Sequence, residues 1–256
     1  MNVLFVYMRD CAFCLDILRK KFAKEGVNVT AIERTRLLKK HFANMDFVVV
    51  VAGDGTFLKT SHFVDDIPMV GVNVTPERRV GFFCRADMES AVQKFRAWRS
   101  GRLKPLKLKR LEAVMMHKGK KTKLFRALNE VFAGCQTPFH VSSYNLTVNG
   151  KKEYQRSSGL LISTAAGSHG WIKNAGGKKL PITSSKIQFV VREAVQSRIV
   201  KMKMLKGILP ENSKIEVVSQ VDDGIIAIDS FYKYWKFPRG AKLIVKQSKT
   251  PLLFIR

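Results

Sequence analysis

Hydrophobic residues recur along the first part of the chain in short runs that alternate with amphipathic segments. Runs over residues 3–8, 27–32 and 47–51 have the length and β-branched content of buried strands. Residues 15–22 and 36–42 place apolar side chains at helical spacing, so the pattern predicts a helix in each. Strands that alternate with helices indicate a parallel sheet with helices on its faces, an α/β, Rossmann-like domain.

A strand over residues 68–73 and an amphipathic helix over residues 88–98, ended by Gly101, complete this part. From Leu106 the pattern changes to strand-sized runs. These cover residues 107–116, 123–132, 143–148, 160–164, 188–191, 215–218 and 224–228. Asn149-Gly150 between two of them is typical of a hairpin turn. The second part is therefore predicted to be a β-rich, β-sandwich-like domain.

Composition supports folded domains and a basic surface. The chain has 256 residues with 46% hydrophobic content, enough for one large or two small cores, which excludes a disordered class. Its formal net charge is +26, from 46 Lys and Arg against 20 Asp and Glu, so the surface attracts anions such as nucleotides, polyphosphate or nucleic acids. Because the basic residues are scattered and form no recognisable nucleic-acid module, a solvated lysine surface is favoured over dedicated nucleic-acid binding.

The amino terminus and the cysteines favour a cytoplasmic protein without a membrane segment. Residues 1–8 are too short to span a bilayer and have no basic region before the apolar run, so they are interpreted as a first strand. Four cysteines do not suggest a disulfide scaffold. Cys11 and Cys14 have the spacing of a thioredoxin-like pair, but two reduced, half-buried thiols at a helix start are the favoured interpretation.

The richest chemistry lies where the strand at residues 47–51 runs into Gly53-Asp54-Gly55-Thr56. The two glycines remove Cβ where the backbone must turn and approach a ligand, and Asp54 follows the carboxyl end of a parallel strand, where ligands collect. A carboxylate there suits a base or a metal-linked role. The ordinary alternative is a strand-to-helix turn with a capping side chain, and these residues alone do not separate the two interpretations.

Three further segments follow in order: Gly-Val-Asn-Val-Thr-Pro-Glu-Arg-Arg-Val-Gly-Phe-Phe at 71–83, Ala-Leu-Asn-Glu-Val at 127–131, and 159–177 with Thr-Ala-Ala-Gly-Ser at 164–168. Together with the Gly53 to Thr56 motif they resemble the NAD kinase family. Residues 54–68, 156–159, 164–168 and 190–193 are most similar to the plant-type NADH kinases and their bacterial relatives.

The resemblance implies a fold and a reaction. An α/β kinase domain over residues 1–104 would precede a β-rich, dinucleotide-binding domain over 105–242, and residues 243–256 would return to the first domain. The implied activity is phosphorylation of the 2′-hydroxyl of the adenosine ribose of NAD or NADH by ATP, with Mg²⁺ or another divalent cation, at the junction of the domains. Family members assemble as dimers or tetramers, so a homodimer or homotetramer is expected.

The resemblance also assigns roles to individual residues. Asp54 is implied as the base at the 2′-hydroxyl, and Gly53, Gly55 and Thr56 at the ATP phosphates. The residues implied to bind the dinucleotide are Gly55, Phe82, Phe83, Asn129, Glu130, Thr164, Ala166, Gly167, Ser168, His169, Gly170 and Asn174. Asp229, followed by Ser230 where the family has Gly, is implied near the metal or phosphates; its ordinary interpretation is a turn between two strands.

The sequence departs from the family pattern at several positions. Ala52 stands for the first Gly of Gly-Gly-Asp-Gly-Thr, His169-Gly170-Trp171 for Thr-Ala-Tyr, Asn174 for Ser, and Ser158 for a frequent acidic residue. Two rival functions follow from the residues. A lipid or sphingoid kinase shares the Gly-Asp-Gly-Thr domain, but the segments at 71–73 and 164–168 argue against it. A non-catalytic nucleotide- or nucleic-acid-binding protein fits the charge, but the presence of Asp54 argues against it.

Overall fold

The computed structural model describes residues 1–77, 80–196, 201–229 and 233–256. The chain forms two compact units. The first comprises Met1–Leu108 with Thr250–Arg256, and the second comprises Lys109–Lys249. No helix within the described ranges combines the length and the hydrophobicity needed to cross a membrane.

Both units contain strands, and the first contains the three long helices. The strands are β1 (Asn2–Tyr7), β2 (Asn28–Glu33), β3 (Phe47–Val51), β4 (Met69–Val72), β5 (Cys84–Ala86), β6 (Leu106–Leu108), β7 (Leu111–His117), β8 (Lys120–Lys123), β9 (Glu130–Cys135), β10 (Ser142–Val148), β11 (Lys151–Ser157), β12 (Leu160–Ser163), β13 (Ile187–Val191), β14 (Lys206–Leu209), β15 (Lys214–Ser219), β16 (Gly224–Ile228), β17 (Tyr234–Lys236), β18 (Lys242–Gln247) and β19 (Leu252–Ile255). The helices are α1 (Ala12–Ala23), α2 (Asp54–Ser61), α3 (Met88–Arg99) and α4 (Trp171–Asn174), with 3₁₀ turns at Arg9–Cys11, Arg34–Arg36, Lys39–Phe42 and Gly167–His169.

The first unit is built on a largely parallel sheet with the order β2-β1-β3-β4-β19-β6, and β5 pairs with β4. Only the β19–β6 pair is antiparallel among the pairings of its described strands. All five residues of β3 are buried, as a strand covered on both faces requires. Phe22 of α1 and Phe47 of β3 both pack on Phe95 of α3, with ring centroids 5.0 and 5.2 Å apart. The predicted α/β domain is confirmed.

The second unit contains two six-stranded antiparallel sheets, in the orders β11-β10-β15-β18-β7-β8 and β14-β13-β12-β9-β16-β17. Side chains of both sheets, such as Leu146 of β10 and Ile162 of β12, share one buried core. Along β10 the residues alternate strictly between buried and half-buried. The hairpin prediction is also confirmed, because Asn149 and Gly150 join β10 to β11 with φ of 47° and 87°. These two sheets confirm the predicted β-rich fold class of the second unit.

The predicted helix over residues 36–42 is wrong. The segment forms two 3₁₀ turns, and the backbones of Leu37 and Leu38 between them are extended, with ψ of 126° and 157°. An extended chain sends successive side chains to opposite sides, so Leu37 is buried while Leu38 is 53% exposed. The His41 ring accepts the Leu38 N–H at 3.1 Å and closes the second turn.

Two predicted strands are divided. The run at 107–116 separates into β6 of the first unit and β7 of the second, with the fully buried Arg110 between them. The run at 123–132 stops at Lys123 and resumes at Glu130. In the interval the amides of Leu128 and Asn129 donate to the Asp229 carboxylate instead of a neighbouring strand.

The carboxyl-terminal boundary also differs from the expected one. Thr250–Arg256 does belong to the first unit, where β19 pairs with β4 and β6. The return does not begin at residue 243, however, because β18 lies between β15 and β7 in a sheet of the second unit. Leu243 and Val245 are fully buried in the core of the second unit, so β18 belongs to that unit.

Candidate functional site

Asp54 lies at the junction between β3 and α2. Gly53 has extended dihedrals, φ −96° and ψ 176°, and α2 begins at Asp54. The half-buried Asp54 carboxylate accepts three backbone hydrogen bonds: Oδ2 from Phe82 N–H at 2.6 Å, and Oδ1 from Phe83 and Cys84 N–H at 2.9 Å each. A carboxylate has about four acceptor positions, so three are used by this loop. We call Asp54 with the amides of residues 82–84 the Asp54 clamp.

Two glycines of the segment at 71–83 make the Asp54 clamp sterically feasible. Gly81 has φ of 61°, and a Cβ on it would lie 2.1 Å from the Cys84 carbonyl oxygen. A Cβ on Gly71 would lie 2.7 Å from the Phe83 carbonyl oxygen. Glycine is therefore required at both positions for the chain to fold back on Asp54. Arg78 and Arg79 of the same segment lie outside the described residues.

The start of α2 presents backbone rather than side chains. Gly55 is exposed, and a Cβ on it would meet nothing within 4 Å. The Thr56 and Phe57 amides already donate to the Gly53 carbonyl at 2.9 and 3.3 Å, so it is the amides of Asp54 and Gly55, together with the helix dipole, that favour an anion. The Thr56 hydroxyl is buried and has no hydrogen-bond partner among the described residues. Space and donors at Gly55 suit a phosphate group.

Phe82 and Phe83 differ in their surroundings. Phe83 is 2% exposed and stacks on Phe57 at 5.0 Å, with Phe254 at 5.9 Å, so it is a core residue of the first unit. The ring of Phe83 is thus covered by other rings, and its expected pocket role stays a prediction. Phe82 is half-buried and contacts the ring of Phe83 edge-on. Both residues also donate their backbone N–H groups to Asp54, because the chain bends at Gly81. The sequence did not predict these hydrogen bonds.

A second carboxylate organises the start of β9 in the second unit. Asp229 follows β16, is 4% exposed and has φ of 53°. Its Oδ2 accepts the Leu128 N–H at 2.8 Å, and its Oδ1 accepts those of Asn129 and Glu130 at 2.7 and 3.1 Å. We call this arrangement the Asp229 clamp. The Asp229 carboxylate is thereby held by the protein's own backbone. Ser230 lies outside the described residues.

The loop after β12 packs directly on the residues held by the Asp229 clamp. The Thr164 hydroxyl donates to the Leu128 carbonyl at 2.6 Å and accepts the Gly167 N–H at 2.9 Å. Thr164 N–H donates to the Asn129 carbonyl at 2.9 Å. A Cβ on Gly167 would lie 2.1 Å from the Asn129 carbonyl oxygen, so only glycine allows this approach. The small residues of the motif, including the buried Ala166, serve this contact.

Asn129 and Glu130 face a glycine on the same loop. A Cβ on Gly170 would lie 3.4 Å from the Asn129 Nδ2 and 3.8 Å from the Glu130 Oε2, so the missing methyl group leaves room beside both side chains. The Asn129 Oδ1 is buried without a hydrogen-bond partner among the described residues. Asn129 is half-buried and Glu130 is 2% exposed, so the space at Gly170 is where a ligand hydroxyl could approach this amide and carboxylate.

The side chains of Ser168 and His169 form hydrogen bonds within the protein. The fully buried Ser168 hydroxyl donates to the Ala165 carbonyl at 2.6 Å and accepts the Leu180 N–H at 2.8 Å. The His169 Nε2 lies 2.9 Å from the Leu180 carbonyl, and a carbonyl only accepts, so this nitrogen carries the proton. Both side chains hold the segment around Leu180, and their contacts with the dinucleotide stay a prediction. Sequence patterns gave no signal for Leu180.

Trp171 keeps an aromatic ring where the family pattern has Tyr. It packs on Phe132 with ring centroids 5.3 Å apart, and the Arg192 guanidinium lies 5.2 Å from its ring centroid. Asn174, at the end of α4, is exposed. The loop from Thr164 to Asn174 is thus fixed at Thr164, Ser168 and Trp171, whereas Gly170 and Asn174 remain accessible for contacts with a ligand.

Neither a resident metal site nor a thiol centre is apparent in the described part of the chain. No group of three or more His, Cys, Asp or Glu side chains in those ranges could hold a metal ion. Cys11 is buried, Cys14 is half-buried, and neither forms a disulfide. Burial raises the pKa of the Cys135 thiol on β9, which disfavours the nucleophilic thiolate.

Comparison with known proteins gives consistent matches. A family model described as the ATP-NAD kinase N-terminal domain matches residues 15–101. The NADH kinase of Arabidopsis thaliana is 32% identical over 247 residues, which cover 88% of this chain and 75% of that protein. The probable NADH kinase of Oryza sativa subsp. japonica is 26% identical over 270 residues, which cover 97% of this chain and 80% of that protein.

A solved structure extends the likeness to the fold. The crystal structure of an NAD kinase from Archaeoglobus fulgidus in complex with ATP has a TM-score of 0.82. The match covers 100% of this chain and 94% of that one at 21% sequence identity.

Proposed function

The chain belongs to the NAD kinase family, and we propose that it transfers the γ-phosphate of ATP to the 2′-hydroxyl of the adenosine ribose of NAD or NADH. This family membership confirms what the resemblance of the four sequence motifs implied. The observation that carries the proposed reaction is the Asp54 clamp, which fixes a half-buried carboxylate beside the exposed start of α2. Anion-binding amides and an oriented acceptor are the parts that phosphoryl transfer needs.

Asp54 is proposed to act on the attacking hydroxyl. Its three amide partners leave about one acceptor position, which would receive the hydrogen bond of the 2′-hydroxyl. The transition state of phosphoryl transfer is loose in most analyses, so aligning the hydroxyl matters as much as removing its proton. Because the amides of residues 82–84 fix the carboxylate beforehand, little reorganisation is needed when the hydroxyl arrives.

The remaining roles rest on the open backbone at Gly55 and on the space at Gly170. Backbone at Gly53 and Gly55, with the Thr56 hydroxyl, is proposed to bind the ATP phosphates. Asn129 and Glu130 are proposed to bind ribose hydroxyls of the dinucleotide, with Gly170 giving the space. Each of these side chains acts by binding and orientation, so the chain's own chemistry consists of alignment and one proton transfer at Asp54.

The divalent cation is proposed to arrive with ATP. Mg²⁺ usually keeps several waters and is bound through substrate phosphates and one or two carboxylates. When bound, it neutralises the charge that develops on the phosphates. A cytoplasmic homodimer or homotetramer is proposed from family membership, and sedimentation velocity would measure the assembly.

The plant relatives motivate a proposal on the dinucleotide. We propose that NADH is phosphorylated at least as well as NAD. Both share the reacting adenosine end, so discrimination must come from the nicotinamide ring, whose positive charge in NAD is disfavoured in a chain of net charge +26. The rival lipid kinase function gains no support from the relatives, which are named NAD and NADH kinases.

The test combines purified chain with NAD or NADH, ATP or polyphosphate, and Mg²⁺ or a chelator, and measures NADP(H) by mass spectrometry. We expect product with ATP, Mg²⁺ and either dinucleotide, and kcat/KM for NADH equal to or above that for NAD. A sphingoid base in place of the dinucleotide tests the rival kinase. Product from the lipid alone, or from no combination, would overturn the proposed function.

A further inference from the structure

The Asp229 clamp lies directly behind the pair that is proposed to bind ribose hydroxyls. We infer that Asp229 is a positioning residue: it fixes the backbone of Leu128, Asn129 and Glu130 so that the Asn129 and Glu130 side chains meet the dinucleotide. This inference rests on the proposed function. It assigns to Asp229 a role through other residues, without contact to substrate or metal.

The contacts between Asp229 and this segment are reciprocal. Three consecutive amides, those of residues 128–130, donate to its carboxylate within 3.1 Å. In return the Asp229 N–H donates to the Glu130 carbonyl at 3.0 Å. The segment is therefore held by one residue through both its side chain and its backbone. Displacing the carboxylate would release the amides on which the course of the chain into β9 depends.

The carbonyl side of the same segment is held by a different element. The Leu128 carbonyl accepts the Thr164 hydroxyl, and the Asn129 carbonyl accepts the Thr164 N–H and, at 3.1 Å, the Ser163 hydroxyl. The backbone of residues 128–130 is therefore constrained on both sides, because its amides bind Asp229 and its carbonyls bind Ser163 and Thr164. Since Gly167 also packs on the Asn129 carbonyl, the Asp229 clamp fixes the loop after β12 through this segment.

Burial and backbone conformation separate this role from ligand binding. At 4% exposure, with three amides on its oxygens, the carboxylate is sealed from a nucleotide phosphate or a hydrated cation. Asp229 also has φ of 53°, a region that non-glycine residues occupy only when surrounding contacts enforce it. A glycine would relieve that backbone cost, so the observed aspartate is explained by what its side chain holds.

The test uses Asp229→Asn and Asp229→Gly, because both residues tolerate positive φ. Asparagine keeps one oxygen but turns an NH₂ group towards amide donors, whereas glycine removes the carboxylate altogether. Asp222→Asn is the matched control, since Asp222 is exposed and near in sequence. Steady-state kinetics with NADH and ATP, calorimetric binding of NADH, and thermal unfolding are measured on all four proteins.

We expect both Asp229 variants to raise KM and Kd for NADH by about tenfold or more, while KM for ATP changes less than about twofold. A purely structural role would lower the folded fraction, which lowers the apparent kcat and leaves KM unchanged. Unchanged KM and Kd for NADH, or failure of both variants to fold, would overturn the inference. A wild-type chain that makes no NADP(H) would instead overturn the proposed function, and NADH binding would still report on Asp229.

Discussion

The two clamps use one device in two environments. In each, the carboxylate of an aspartate next to a strand accepts hydrogen bonds from three consecutive backbone amides, residues 82–84 for Asp54 and 128–130 for Asp229. Asp54 begins a helix and is half-buried, whereas Asp229 follows a strand, has a strained φ of 53° and is 4% exposed. Each carboxylate accepts three amides, so the two clamps differ in exposure and not in the number of amide donors.

This difference shows how far hydrogen-bond geometry alone can assign a role. The Asp229 carboxylate is buried and already accepts three amides, so it shapes the segment that carries Asn129 and Glu130. A carboxylate fixed by amides but open on one side can also meet a substrate, which is the proposed position of Asp54. Variants at the two sites should therefore alter different kinetic constants, kcat at Asp54 and KM for the dinucleotide at Asp229.

The largest expected effect is that of Asp54→Asn. Asparagine can keep the hydrogen bonds of Oδ1 to Phe83 and Cys84, but its NH₂ group would face the Phe82 N–H and could not accept a proton. We expect kcat to fall on the order of 10²-fold or more, with NADH affinity changed much less. Kinetics and calorimetry measure the two quantities.

Asp46→Asn is the matched control for Asp54, because Asp46 precedes β3, is exposed and accepts only the Asn2 N–H at 2.7 Å among its described hydrogen bonds. It should keep near-normal kcat. If Asp54→Asn turned over normally, Asp54 would not be the base. If it bound no nucleotide and melted early, the Asp54 clamp would be structural, like the Asp229 clamp.

The next effect concerns the loop that rests on the Asp229 clamp. Gly167→Ala would place a Cβ 2.1 Å from the Asn129 carbonyl oxygen, and because that oxygen is a backbone atom, one of the two chain segments must move. We expect a loss of about 1–3 kcal/mol in the free energy of unfolding and a raised KM for NADH. Urea unfolding and steady-state kinetics measure these. Unchanged stability would mean that the loop yields, and that the Asp229 clamp does not transmit its order to residues 164–170.

Gly55→Ala is a smaller change with the opposite signature. The new methyl group meets nothing within 4 Å, and alanine is the better helix former, so stability should be unchanged or slightly higher. The methyl group would nevertheless occupy the space assigned to the ATP phosphates. We expect KM for ATP to rise severalfold with KM for NADH unchanged; a normal KM for ATP would remove Gly55 from the proposed phosphate site.

The smallest effect is expected for the double variant Cys11→Ser, Cys14→Ser, which lies outside both clamps. No step of the proposed transfer uses a thiol, so kcat and both KM values should stay within about twofold of wild type. A modest loss of stability is acceptable, because Cys11 is buried. Loss of most activity in a folded double variant would restore the redox interpretation of the Cys-x-x-Cys pair.

The sequence predicted the central strands, and singled out Asp54 and Asp229, better than it predicted the edges of the sheets. β3 is a continuous apolar run because it is covered on both faces, and such a run is unambiguous. The strands β8, β11, β14 and β17 are the edges of the two antiparallel sheets, and each carries lysine. Charged edge strands resist pairing with other chains, but they hide the hydrophobic pattern. They also account for part of the positive charge without a nucleic-acid partner.

Within the site, glycines were informative and partners were not. Gly81 and Gly167, which the sequence motifs already contained, lie at places of close approach, and Gly55 leaves open space. The amide donors of residues 82–84 and the link from Ser168 and His169 to Leu180 could not be predicted, because backbone N–H and C=O groups carry no sequence signal. For the same reason the pattern could not distinguish the open Asp54 carboxylate from the sealed one of Asp229.

The most direct test of the account is the position of the new phosphate. Purified chain is incubated with NADH, ATP and Mg²⁺, and the product is examined by ³¹P and ¹H NMR, with Asp54→Asn in parallel. The account predicts one new phosphomonoester on the 2′-oxygen of the adenosine ribose, formed at least about 10²-fold more slowly by the variant. A phosphate at any other oxygen, or ATP hydrolysis without a phosphorylated dinucleotide, would contradict it.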